Sequence, residues 1–451
     1  MINNIVGYIF LFICLHTSNN WGNPLTAKGE IFRFDKILLF DQIDIYFIFM
    51  IIFISILFFS KVSPNNGASV DRKSNYIKTI FILFFIPCNI MIYLAVYLKD
   101  IPIEGYGIYP ILKFMLYVTA TIYFQNLFLN KRNFQQLDKI FLIFEILILI
   151  RGFYSIIKYL RGFGDVSPVG GGVRLGTEDD FADFFILLFI ISLTKLLFRR
   201  EENSYKKMVH VVGLITSSII AIFSFRRYFW LECIVAIGVI LLFFSRLKKI
   251  DLYTKIILGC FILFIVLFTI ILVGPGNITN NYFIGRLLTS LSIINTGFES
   301  RYGVQEGHIE EIIDGWYNIK KNWLFGLTPF GYNRIERSQA LWQEGLWIHN
   351  AYMYVWIEYG LIALILFTIM YLKSIQIGFV VYKKFRSEYG LVLSTFMLCQ
   401  MTKNIVWPTA ISLVNVTIIY IFLISFVLKL KEELTNSQIY NNRSLIKSIG
   451  G

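Results

Sequence analysis

The sequence predicts an all-α, polytopic membrane protein of about twelve transmembrane helices, and three observations carry that prediction. Of its 451 residues, 56% are hydrophobic, and the mean hydropathy is +0.64, far from the composition of a soluble globular domain. Apolar runs of bilayer-spanning length recur from end to end. Basic clusters follow every second run, as in a chain threaded back and forth through a membrane.

The expected spans are residues 3–16, 44–60, 77–98, 107–129, 136–158, 180–198, 208–225, 228–246, 254–274, 350–372, 388–403 and 410–430. The first is short. It lacks the basic leader and small-residue cleavage site of a signal peptide and is expected to be a retained helix. Lys61, Arg72, Lys73 and Lys78 follow the second span, and Lys131, Arg132 and Lys139 the fourth. Lys195, Arg199, Arg200, Lys206 and Lys207 follow the sixth, Arg246, Lys248 and Lys249 the eighth, and Lys373, Lys383, Lys384 and Arg386 the tenth. With twelve spans all of these lie on one side, so both termini are expected in the cytoplasm. The net charge of +13 then reflects topology and contact with anionic membrane lipid, and no nucleic-acid partner is expected. Cys14, Cys88, Cys233, Cys260 and Cys399 all fall inside spans without metal-ligand spacing, and no chemistry is assigned to them.

This threading divides the chain into an N-terminal bundle of about nine helices (1–274), a large outer loop (275–349), a C-terminal group of about three helices (350–430) and a cytoplasmic tail (431–451). Within the large loop, Ile309, Ile312, Ile313, Trp316, Ile319 and Trp323 recur at helical spacing. Glu306, Glu310, Glu311, Asp314, Lys320 and Lys321 occupy the other face. The segment reads as an amphipathic helix that lies on the membrane surface or caps a cavity. Gly326, Pro329 and Gly331 break it. No internal repeat of the transporter kind is visible.

Chemistry concentrates at the loop's borders. His349, one of only four histidines, stands where the loop gives way to an apolar run, at a membrane–water boundary. It supplies a group able to move protons near neutral pH, and histidine is rare in spanning proteins unless something uses it. Arg226 and Arg227 occupy the tiny outer turn 225–227 between the seventh and eighth spans, against the charge rule. Two readings stand: snorkelling to lipid headgroups, or holding an anionic ligand such as phosphate, which suits the planar guanidinium fork. Arg301 is a third candidate, with a plain surface arginine as the other reading. Arg174, in the Gly-rich stretch 170–176 near Asp179 and Asp180, is a weaker fourth. That stretch lacks the Lys-Ser/Thr ending of a nucleotide loop and reads as a turn.

These residues carry a resemblance. Arg227, ten residues and Gly238 is similar to the Arg-x10-Gly pattern of the O-antigen ligase and polymerase superfamily, and His349-Asn350, nine residues and Gly360 resembles its His-Asn/Ser/Gln-x9-Gly pattern. The segment Trp316 to Gly331 resembles the stretch between those motifs, and Arg301 stands where many members have an arginine. The likeness covers roughly residues 170–370; Ala363 departs from the glycine-like continuation of some members. The resemblance implies a membrane-embedded glycosyltransferase of the GT-C type that needs no metal and no other cofactor. Its implied donor and acceptor are oligosaccharides on undecaprenyl diphosphate at the periplasmic face, and a chain-length regulator protein is a candidate partner. It implies that Arg226, Arg227 and Arg301 bind the diphosphate and that His349 takes the acceptor hydroxyl's proton. The chemistry is coherent: neutralising a lipid diphosphate makes it a good leaving group, and a sugar hydroxyl gains from a base in reach.

Secondary candidates are His308, otherwise a solvated face residue; Asn350, a ligand orienter or helix cap; and Glu358, placed half a bilayer deep by helical rise and read as structural. His16 and His210 read as structural. Trp342, Trp347, Tyr352 and Trp356 could stack on sugar rings, although interfacial belts more commonly cause such clusters. Among activities, a polymerase joining lipid-linked repeat units is favoured over a ligase that transfers the glycan to lipid A–core. The basis is the idiosyncratic loop and the aromatic-, Ile- and Asn-rich composition. A lipid-linked oligosaccharide flippase or other transporter is the third reading, although such proteins place charge near the midplane and show repeats.

Overall fold

Long apolar runs become long helices. The computed structural model describes residues 2–16, 51–52, 109–129, 134–161, 165–166, 173–175, 181–198, 204–224, 227–244, 312–320, 323–324, 326, 350–405 and 414–449. The helices discussed here are α1 (Ile2–His16), α2 (Tyr109–Leu129), α3 (Phe134–Leu160), α4 (Phe181–Phe198), α5 (Ser204–Phe223), α6 (Arg227–Phe244), α7 (312–320), α8 (Ala351–Phe385), α9 (Glu388–Lys403) and α10 (Val414–Ile449). The strands among the described residues form a two-residue antiparallel ladder, β1 (Asp165–Val166) with β2 (Val173–Arg174), which pairs Asp165 with Arg174. The chain that joins these strands is the Gly-rich stretch read as a turn. The expected spans 77–98 and 254–274, and 44–60 apart from residues 51–52, lie outside the described residues.

Helix α4 is central. From Phe184 to Ile191 every residue is at most 2% exposed, as expected of a helix apolar all round. Beside it, α2, α3, α9 and α10 share an aromatic core. Phe422 meets Phe124, Phe128 and Phe144 with ring centroids 5.4, 5.6 and 4.6 Å away, and Phe426 meets Phe128, Phe141 and Tyr389. Large apolar side chains also face outward, including Phe153 and Ile157 on α3, Ile234 on α6 and Ile365 on α8. Charged side chains such as Asp138, Asp183, Lys195, Glu232 and Lys403 face inward. That inside-out arrangement is what a hydrocarbon solvent selects. Among the described residues, three segments are long and apolar enough to cross a membrane: Gln136–Leu160, Ser204–Phe223 and Tyr359–Phe385.

Two helices outrun their predicted spans. Helix α10 continues to Ile449, through residues expected to form a tail. Helix α8 is 35 residues long, about 52 Å at 1.5 Å per residue, more than a 30 Å hydrocarbon core requires. It is broken at Gly360, whose φ of 84° and ψ of 177° fall in a region essentially closed to other residues. Glu358 directly precedes the break, in the short helical segment before Gly360.

At the end where α3, α5 and α9 begin, Lys195 bonds Asp138 (3.4 Å) and Glu388 (3.0 Å), and Lys206 bonds Asp138 (2.7 Å). Lys195 also sits 3.8 Å from the Tyr389 ring centroid, and the Tyr389 hydroxyl donates to Asp138. Lysines that counted as loop charges in the sequence are thus knots between helices. His210 is equally structural: its Nδ1 lies 2.8 Å from Glu145, which also accepts from Ser192.

The α8–α9 hairpin turns through Arg386, in the left-handed region with φ 55°, and its helices cross at Gly378 and Gly390. A Cβ on Gly390 would stand 2.5 Å from the Gly378 carbonyl oxygen and 2.7 Å from the Tyr382 nitrogen, both backbone atoms that cannot swing aside. Gly390→Ala is therefore expected to destabilise the hairpin by about 1–3 kcal/mol or more, the cost of overpacking. A lowered thermal midpoint of the detergent-solubilised protein is the check; an unchanged midpoint would contradict the close crossing.

Candidate active site

The α5–α6 turn is closed by its own side chains. Ser224 donates through its amide to Ile220 and through its hydroxyl to Ala221, and Trp230 Nε1 donates to the same Ala221 carbonyl at 2.8 Å. The β-ladder docks on this turn through Leu175, whose amide donates to the Phe223 carbonyl at 3.0 Å. Arg174, at the end of β2, therefore lies one residue from the helix end that leads into Arg226 and Arg227. Arg227 is the first residue of α6, so its position coincides with the positive end of a helix dipole.

The start of α8 is equally defined. Asn350 Oδ1 accepts from the amides of Tyr352 and Met353, both at 3.0 Å, which makes Asn350 an N-cap. The Ala351 amide donates to the Asn404 carbonyl at 2.8 Å, and the Tyr352 hydroxyl donates to Met401 at 3.0 Å. The end of α9 is thereby tied to the residues that directly follow His349. Helix α9 is tied to α6 in turn. Buried Lys403 bonds Asp183 of α4, and its ammonium lies 5.1 Å from the ring centroid of Tyr228, the residue after Arg227. One turn along α6, Glu232 Oε1 accepts from Gln400 Nε2 at 3.1 Å, and Gln400 Oε1 accepts from the Tyr420 hydroxyl at 2.6 Å. Glu232 Oε2 has no hydrogen-bond partner among the described residues.

The loop helix α7 meets α8 at its break. With Gly360 out of helical geometry, the Leu361 amide donates to the carbonyls of Trp323 (3.1 Å) and Leu324 (3.2 Å). Trp356 Nε1 donates to Trp323 at 2.7 Å, Trp316 packs edge-on to Trp356, and Ile319 packs on Ile357. The apolar stripe of α7 does not face the protein as a whole. Ile319 is buried, while Ile312, Ile313 and Trp316 are exposed and Asp314 and Asn318 turn inward. Tyr352 and Trp356, weighed as sugar-stacking residues, each spend their polar atom on a backbone carbonyl.

The backbone thus brings the positions of Arg174, Arg227 and Asn350 to one end of the bundle. Glu358 lies on α8 just before the break. His349, Arg226, Arg301, His308, Trp342 and Trp347 lie outside the described residues. Gly238 of the first motif has no atom within 4 Å of a built Cβ among the described residues. Asp183, Glu232, Gln400 and Lys403 were missed by the sequence reading. Glu232 carries a signal in the sequence, an acid inside an apolar run, whereas Lys403 at the end of a span reads as a boundary charge.

Residues 212–368 match the family model described as O-Antigen ligase, which spans both motifs and the loop between them. The resemblance to the O-antigen ligase and polymerase family is thereby shown over about a third of the chain. No curated protein matches the sequence. Together with the apolar helices, the match supports a bacterial inner-membrane enzyme of the ligase or polymerase type that acts on lipid-linked glycans.

Proposed function

We propose that the protein is an O-antigen (surface polysaccharide) polymerase that joins undecaprenyl-diphosphate-linked repeat units at the periplasmic face, by inverting glycosyl transfer without a metal. The observation that carries this reading is the convergence of two chain-distant motifs. Through Tyr228–Lys403 and Ala351–Asn404, the first residue of α6 and the cap of α8 are held to the same end of α9. On this reading Arg226, Arg227 and Arg301 neutralise the donor diphosphate, and Arg174 is a secondary candidate for the same role. His349 accepts the proton of the acceptor hydroxyl as its oxygen attacks the anomeric carbon; the bond to the diphosphate breaks on the opposite face, and the lipid diphosphate leaves with both electrons. The outward Ile312, Ile313 and Trp316 fit a loop helix resting on lipid beside the donor's entry. Ligation to lipid A–core is the second reading, favoured by the description of the matched family.

The deciding experiment supplies purified, liposome-reconstituted protein with undecaprenyl-diphosphate-linked repeat units alone. A growing ladder of products is expected. Product that forms only after lipid A–core is added assigns the ligase instead, and no product with either acceptor removes both readings.

A further inference from the structure

Two buried charges far apart in the chain, Asp183 at the start of α4 and Lys403 at the end of α9, lie outside the matched segment yet stand between its two motifs. Lys403 is fully buried and Asp183 is 1% exposed. Their bond does more than satisfy two charges. The Lys403 ammonium also faces the ring of Tyr228, next to Arg227, and the following residue, Asn404, accepts from Ala351, two residues after His349. Cys399 donates to the Glu232 carbonyl at 3.3 Å and Gln400 to its carboxylate, so the last turn of α9 grips the first turns of α6 at several points. A burial of this kind is poorly explained by stability alone, because a paired ion in a dry interior rarely outperforms a well-packed apolar pair. Its geometry instead fixes four helix ends, those of α4, α6, α8 and α9, relative to one another.

We infer that the Lys403–Asp183 pair is a positioning latch: it sets the spacing between the arginine end of α6 and the histidine end of α8. This rests on the proposed roles of those two ends. The latch touches neither substrate. It holds the diphosphate-binding and proton-accepting groups at the separation that the donor and acceptor require, where a displacement of about 1 Å costs on the order of 100-fold in rate.

The test separates latch from scaffold. Lys403→Met or Asp183→Asn alone strands a buried charge and is expected to lower the amount of protein in the membrane. The double variant Asp183→Asn/Lys403→Met strands none and is expected to restore that amount while turnover stays at least about tenfold below wild type. Wild-type turnover in the double variant would show a scaffold role only and overturn the inference. A second readout needs no activity: spin labels on Leu231→Cys of α6 and Ile362→Cys of α8, both exposed, in a background without the native cysteines. The interlabel distance is expected to broaden or shift when the pair is neutralised, and an unchanged distance overturns the latch. Tyr228→Leu, which leaves the ion pair intact, is expected to shift the same distance, whereas Tyr228→Phe is not. If the distance shifts but Arg227→Ala and His349→Ala retain activity, the latch stands and the assignment of the site fails.

Discussion

His349→Ala abolishes detectable glycan chain extension while the protein remains in the membrane: this is the expected result with the largest effect, and Arg227→Ala is expected to match it by a different route. The two differ in what they remove. An alanine at 349 leaves the donor bound and the acceptor hydroxyl without a base, so turnover falls by about 10²–10⁴-fold with little change in the apparent affinity for the donor. An alanine at 227 removes charge that the leaving diphosphate needs, so turnover falls by about 10²–10³-fold and donor affinity weakens as well. Arg227→Lys is expected to recover part of that loss, since an ammonium keeps the charge but not the two-pronged hydrogen bonding. Single-turnover kinetics on reconstituted protein, with immunoblots of the membrane fraction alongside, separate these outcomes. Unchanged product ladders in either alanine variant would remove that residue from the chemistry. Neither change is expected to unfold the bundle, whose described core lies in α2, α3, α4, α9 and α10.

The parts of this molecule that were legible in the sequence are those with a one-dimensional signature. Helices α4 and α9 fall within a residue of the spans read from hydropathy, because each is a mainly apolar run bounded by charge. The two proposed anchor points stand out for a related reason: a pair of arginines in a three-residue turn expected on the outer face and a histidine at a loop border are anomalies of sequence alone. What escaped depends on partners distant in the chain. Asp183 and Lys403 are 220 residues apart, and each alone looks like an ordinary boundary charge. Lys195 and Lys206 look like cytoplasmic loop charges until Asp138 and Glu388 are brought beside them. The length of α8 escaped because Lys373, a charge that ends the apolar run, does not end the helix, which continues to Phe385; the break escaped because Gly360 interrupts backbone geometry without interrupting hydropathy. The inward turn of Asp314 and Asn318 escaped because amphipathicity identifies a helix's two faces but not which of them meets the protein.

Gly360→Ala is expected to have the second-largest effect, and its argument runs from backbone to catalysis. At φ 84° and ψ 177° a β-carbon is strained whatever space surrounds it, at a cost of about 1–3 kcal/mol. Asparagine, which tolerates ordinary left-handed turns, gains nothing here because this ψ lies outside the left-handed helical region. The chain can relieve the strain by closing α8 into a continuous helix. Doing so returns the Leu361 amide to its own helix and withdraws it from the carbonyls of Trp323 and Leu324. The loop helix then loses that clamp and the matching geometry of Trp356 Nε1 on Trp323. His349 lies eleven residues before the break, at the head of the short segment whose direction the break sets. Straightening α8 would redirect the segment 351–359 relative to the span after Leu361, and with it the chain that leads into α8. The expected phenotype is therefore a protein present in the membrane, with turnover lowered at least about tenfold, and with α7 released from α8. A disulfide between Ile319→Cys and Ile357→Cys, whose parent side chains pack together, reports the docking directly. It should form readily in the parent with native cysteines removed and slowly after Gly360→Ala or Gly360→Asn. Trp356→Phe, which deletes only the indole donor, should slow it less. Equal disulfide formation in all variants would mean that the glycine is not what docks the loop.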